Sequence, residues 1–160
     1  MNNFLKPKIC NLKPKSGFTL IEILIVMAII AMLAAVVIIA INPARQFAQA
    51  RNTQRWAAVN SILNAVHQNM IDNRGTWNST GCGASLPSTA TVIKNSDGVD
   101  LCACLVTTYL ASLPYDPKTG SYTSCAGYDT GYTIYQDATT GRITVAAPQA
   151  ELTQSIAVTR

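Results

Sequence analysis

Residues 17–41 read GFTLIEILIVMAIIAMLAAVVIIAI, and this stretch decides the fold. Within 18–41 only Thr19 and Glu22 are polar, and 23–41 is an unbroken run of 19 apolar residues. A helix needs about 20 such residues to cross the hydrocarbon core of a bilayer. A chain of 160 residues cannot wrap its own core around so apolar a helix on every side. The run therefore reads as membrane-spanning. A cleaved secretory signal has a shorter apolar run and a small-residue cleavage site, whereas Asn42-Pro43-Ala44-Arg45 follows here. Cys10 is preceded by Pro7-Lys8-Ile9, which lacks the small residues used in lipidation processing.

Charge is concentrated upstream of the run. The formal net charge is +4, and residues 1–17 hold Lys6, Lys8, Lys13 and Lys15 with no acid. The eight basic residues that remain match the eight acids. A basic segment before a membrane span stays on the cytoplasmic side, which sends the C-terminal part outward. Charged residues make up 12% of the chain, against roughly 25% in an ordinary soluble domain.

Helix breakers mark the other boundaries. After Gly17 the next glycine is Gly75, and Pro43 alone interrupts that interval. A helix of about 56 residues is expected, with a kink or softened stretch near 39–43 where proline removes a backbone bond. In its second half Trp56, Val59, Leu63, Val66 and Met70, with Ile62, form a stripe at helical spacing. That stripe is expected to pack on the C-terminal region. Arg45, Gln49, Asn52, Asn60, Asn64 and Gln68 fall mostly off it. Arg45, Arg51 and Arg55 have no acid nearby in sequence and read as a solvated face, or as partners for acids of neighbouring subunits. His67 reads as an exposed helix residue. Asn73-Arg74-Gly75 is the stop signal.

Lys15-Ser16-Gly17-Phe18-Thr19-Leu20-Ile21-Glu22, followed by the apolar run, closely resembles the class III signal of type IV pilins and type II secretion pseudopilins. The resemblance implies cleavage between Gly17 and Phe18 by a membrane prepilin peptidase, then N-methylation of Phe18. It implies a structural filament subunit whose Glu22 pairs with the terminal amine of a neighbour. The implied fold is α+β: a long N-terminal helix packed on a small antiparallel head. The implied parts are a leader at 1–17, a membrane and filament-core helix at 18–41, its amphipathic continuation at 42–74 and a head at 75–160. The implied partners are the peptidase, identical or homologous subunits, an inner-membrane assembly platform, and membrane lipid before assembly. The implied location is the cytoplasmic membrane as a single-pass precursor, then a pilus or pseudopilus outside it. One departure is Ala31, which stands where many pilins carry a mid-helix glycine. Another is Pro43, which falls about four residues later than the usual proline.

Beyond the helix, 76–96 is rich in Ser, Thr, Gly and Asn and reads as a loop. A short helix is expected around 104–110. Leu113-Pro114-Tyr115-Asp116-Pro117 is a turn segment similar to the Pro-x-Asp-Pro of major pseudopilins. The calcium site of some such proteins is not carried over, because only Asp129 and Asp137 are at hand, well separated. Residues 132–136 and 142–146, joined through 137–141, form a β-hairpin pattern, and 152–159 offers an edge strand.

Cys82, Cys102, Cys104 and Cys125 are an even set in the region expected outside, where disulfides form. A Cys102–Cys104 bond closes too short a loop. Cys82–Cys102 with Cys104–Cys125 is the favoured pairing, the swapped arrangement its competitor. Asn78-Ser79-Thr80 fits the glycosylation triplet, a pattern that arises easily by chance in so Thr-rich a chain. With one histidine and eight scattered acids, no catalytic set, metal site or cofactor is expected. Nor is a specific nucleic-acid partner, since the charge excess belongs to the leader. The competing reading is a single-pass anchored binding domain that never polymerises. The state of the N-terminus separates the two.

Overall fold

The computed structural model describes residues 17–160. Leader residues 1–16, Cys10 among them, lie outside the described residues. Helix α1 spans Leu20–Ile41 and helix α2 spans Pro43–Asp72. They belong to two units that divide between Asn42 and Pro43.

The break has a local cause. Asn42 is left-handed, with φ 48°, and Asn tolerates that region better than most residues. Pro43 then opens α2, where its missing N–H costs nothing and its fixed φ suits a first turn. At the far end Gly75 N–H donates to Met70 O at 2.8 Å, closing the helix as a Schellman-type cap. The left-handed position before it is held by Arg74, at φ 60°, and not by the glycine.

The second unit is α+β. Strands β1 (Thr91–Lys94), β2 (Ser121–Ser124), β3 (Gly127–Gln136), β4 (Ile143–Ala147) and β5 (Ile156–Thr159) form an antiparallel sheet with one-turn helix α3 at Cys102–Leu105. The main order is β1-β3-β4-β5, and β2 pairs with the first residues of β3. The hairpin register sets Gln136 opposite Ile143 and Ile134 opposite Val145. Its connection turns on Asp137, whose Oδ1 accepts the N–H groups of Thr139 and Thr140 at 2.8 Å each. Strand β1 falls within the 76–96 stretch expected as a loop, and β2 where no element was expected; each is four residues and ordered by pairing with β3.

Alternation along β3 buries Tyr128, Thr130, Tyr132 and Ile134. These and Ile143, Val145 and Ile156 meet Val59, Ile62, Leu63 and Val66 of α2, all almost fully buried. Each such side chain contributes about 1.5–3 kcal/mol relative to exposure. The expected stripe packs as read at Val59, Ile62, Leu63 and Val66, with Met70 against the same core, and the buried face extends to polar residues that the stripe left out. Asn52, Arg55, Val59, Ile62, Val66 and Asn69 lie on it, whereas Trp56 is 40% exposed.

The cysteines form Cys82–Cys104 and Cys102–Cys125, with Cα atoms 5.4 and 5.3 Å apart. This corrects the favoured pairing. On α3, residues two apart point to opposite sides of the turn. Cys102 therefore faces the β2–β3 corner that holds Cys125, and Cys104 faces the chain leaving α2. Asp100 orients α3 by accepting from Cys102 N–H at 3.0 Å and from the Tyr128 hydroxyl at 2.7 Å.

Candidate functional site

At the N-terminal side, residues 17–19 precede the helix. Thr19 is extended, and its side chain accepts the N–H of Glu22 at 3.2 Å. The Glu22 carboxylate in turn accepts the N–H of Thr19 at 3.4 Å, completing a capping box. The carboxylate is thus held at the start of α1, one residue from the backbone nitrogen of Phe18. Gly17 has open space where a side chain would project.

From Leu20 to Ile41 no residue of α1 is buried. Its 22 residues span about 33 Å, the thickness of a hydrocarbon core. Among the described residues it is the one helix long and apolar enough to cross a membrane. A helix apolar on every side needs lipid or other apolar helices around it.

A second constellation lies within the other unit, and sequence reading missed it. Arg55 is fully buried, and so is Asp116. Arg55 Nε donates to Asp116 Oδ2 at 2.6 Å and Nη2 to Oδ1 at 3.2 Å, a two-pronged contact. Arg55 Nη1 donates to Glu151 at 3.1 Å and to Asn52 Oδ1 at 2.9 Å. Arg51, one turn earlier, grips both oxygens of Glu151 at 2.6 and 2.9 Å. Asn52 Nδ2 donates to Glu151 O at 2.7 Å, and its Oδ1 accepts from Glu151 N–H at 2.9 Å.

Asp116 has further donors. Lys118 and Thr119 offer backbone N–H groups at 2.9 and 3.1 Å. Burial pushes the Asp116 carboxyl up, but the Arg55 guanidinium and these N–H groups outweigh it and hold the group below its ordinary range. Asp116 holds Arg55 above the ordinary value despite burial. Glu151 is held down at about 2, by Arg51 first and Arg55 next. Burial pushes the neighbouring Tyr132 phenol up to about 12, with the Asp116 charge adding to it. A Cβ on Gly120 meets Asp116 N at 2.5 Å, and one on Gly131 meets Asp116 Cβ at 3.0 Å. Both glycines make room for the 114–120 loop against β3.

The arginines expected on a solvated face, or opposite acids of neighbours, are thus partly corrected: Arg51 and Arg55 find their acids in the same chain. The signal was available. Asn52 and Arg55 precede Val59, Ile62 and Val66 at spacings of 3, 4, 3 and 4, in phase with the core. The cluster is a clamp: its groups are consumed by one another, and it ties the 114–120 and 148–155 loops to α2.

Other polar residues weighed in the sequence are engaged in local bonding. Asn78 Nδ2 donates to Asn73 Oδ1 at 2.9 Å, and its Oδ1 accepts from Thr80 N–H at 2.9 Å. His67 is half-buried, its Nδ1 2.8 Å from Leu63 O. Asp129 turns back on Gly131 N–H at 2.9 Å. Among the described residues no three His, Cys, Asp or Glu side chains gather as a metal site.

Residues 12–41 match the family described as the prokaryotic N-terminal methylation motif. No curated protein and no solved structure matches the chain.

Proposed function

We propose that this chain, a type IV pilin-like prepilin by its methylation motif and apolar helix, is a structural subunit of a pilus or pseudopilus. Prepilin peptidase cuts between Gly17 and Phe18 and methylates the new amine of Phe18. The leader remains cytoplasmic, α1 spans the membrane, and the α+β unit lies outside. An assembly platform then draws the subunit from lipid into a filament with homologous subunits, the α1 helices bundled at its centre. The observation that carries this reading is the motif at 12–41 running into a helix with no buried residue. Such a helix trades lipid for other α1 helices with no polar surface to satisfy.

Glu22 is the exception in that helix. A lone carboxylate in apolar surroundings is costly, and a pair with a cation shares the cost and sets register. The amine created at Phe18 is the cation the chemistry supplies. Mass spectrometry of the mature N-terminus tests the reading: methylated Phe18 is expected, and an intact Met1 supports an anchored domain instead. Glu22→Ala is expected to be cleaved normally but to yield few or no sheared filaments by electron microscopy. Wild-type yield sinks the pairing role.

A further inference from the structure

The two disulfides interleave along the chain. Cys82 pairs with Cys104 and Cys102 with Cys125, and both inner cysteines sit on the one-turn helix α3. Nothing local directs them before folding. Four residues are too few to form a helix alone, and Leu101 gives α3 no side-chain cap. Loop closure does not choose either. The swapped set, Cys82–Cys102 with Cys104–Cys125, closes loops two residues shorter, which favours it about 1.3-fold over the native set in an unfolded chain. The elements that fix the native directions come late, since β4, Glu151 and β5 all follow Cys125. Oxidation therefore meets the four sulfurs before the framework that sorts them is complete.

The fold separates the two sets afterwards. In the native set Cys102 and Cys104 are buried, while Cys82 and Cys125 are only partly so. Residues two apart lie about 200° apart around a helix, so trading the partners of Cys102 and Cys104 turns α3 through about half a revolution. Leu101 and Leu105, fully buried beside them, then leave the core. The swapped set thus holds apolar side chains and disulfide sulfurs in the open, and the native set hides both.

We propose that this chain is the substrate of a thiol–disulfide isomerase outside the cytoplasmic membrane, a protein that brings a reduced, reactive cysteine to exposed apolar segments. The proposal rests on the reading that places the α+β unit outside. A protein disulfide oxidant first accepts two electrons for each bond formed. The isomerase thiolate then attacks Cys82 Sγ of the swapped Cys82–Cys102 bond and releases Cys102 as a thiolate. Cys102 attacks Cys125 Sγ, forms Cys102–Cys125 and releases Cys104. Cys104 attacks Cys82 Sγ in the mixed disulfide, forms Cys82–Cys104 and returns the isomerase thiolate. The three exchanges leave electrons and protons balanced. Burial of Cys102 and Cys104 ends the sequence, because an attacking thiolate no longer reaches them.

The test uses the full chain in detergent with Cys10→Ser, so that only the other four cysteines react. The reduced, unfolded chain is diluted into native buffer with diamide and no free thiol. Mass spectra of fragments cut between Cys102 and Cys104 read the pairing. About half of the molecules are expected to hold the swapped set. Adding a reduced bacterial disulfide isomerase should shorten their conversion to the native set from hours to minutes. Native pairing throughout without the isomerase, or swapped pairing that the isomerase leaves in place, overturns the proposal. In cells, a host lacking its extracytoplasmic isomerase is expected to accumulate the swapped set. Cys102→Ala with Cys125→Ala leaves only the Cys82–Cys104 bond to form, and its oxidation should not depend on the host. Native pairing of the four-cysteine chain in both hosts overturns the proposal and leaves the outside placement standing. Reduced cysteines in both hosts overturn the outside placement, and the proposal with it.

Discussion

Helices α1 and α2 follow one another in sequence and are stabilised in opposite ways. In α1 every side chain is apolar after Glu22, and none is buried by the chain itself. In α2 one face is buried, and that face includes Asn52, Arg55 and Asn69 beside Val59, Ile62 and Val66. The first helix takes its solvent from outside the chain. The second carries its environment with it, including the acids that neutralise its arginines. Truncations should therefore be silent in α1 and costly in α2 when the fold of the second unit is measured. Both tryptophans and all six tyrosines lie beyond Pro43, so near-ultraviolet circular dichroism in detergent reports that unit.

The largest separation is expected from Asp116→Ala against Leu33→Ala. Leaving Arg55 buried and unpaired should cost about 3–5 kcal/mol in a denaturant titration. Leu33 is 63% exposed, and its truncation should leave the same transition unmoved. A shift for Leu33→Ala, or none for Asp116→Ala, breaks the contrast. Replacing Cys82 and Cys104 together by alanine should cost about 3 kcal/mol, because the bond closes a loop of 22 residues in the unfolded chain. Mass spectrometry of non-reduced digests should show the Cys82–Cys104 and Cys102–Cys125 peptides.

Acid should act on the same side of the comparison. Asp116 and Glu151 both hold protons less tightly folded than unfolded. Their contribution is complete above the ordinary glutamate value of 4.5 and is lost as pH falls toward about 2, where Glu151 titrates. The denaturation midpoint should fall through that window. A midpoint that holds constant from pH 6 to pH 2 contradicts the clamp. The smallest effect is a gain. Arg74→Gly, at φ 60°, should stabilise the end of α2 by about 0.5–1 kcal/mol, seen as a small rise in midpoint.

The hairpin of β3 and β4 was legible because 132–136 and 142–146 alternate around a glycine-bearing turn. Strands β1 and β2 were not, since four residues such as Thr-Val-Ile-Lys or Ser-Tyr-Thr-Ser become strand only when β3 lies alongside. The stripe on α2 was read one residue out of phase at Trp56. An arginine at a core-facing position looks like a surface residue until its acids are known.

The acids are 61 and 96 residues away. No local periodicity encodes a contact at that separation. The same is true of the disulfides: spacing excluded Cys102–Cys104, but the direction each cysteine takes from α3 chose between the remaining pairings. By itself the sequence determined where the membrane helix lies, where cleavage is expected and which residue, Glu22, breaks its apolarity. The helix and its one carboxylate are properties of contiguous residues, set by transfer between water and lipid, and the cleavage position is what the resemblance of residues 15–22 implies. The tertiary structure alone decided which polar groups are buried and which sulfurs meet. Those depend on segments far apart in the chain converging on one face of α2.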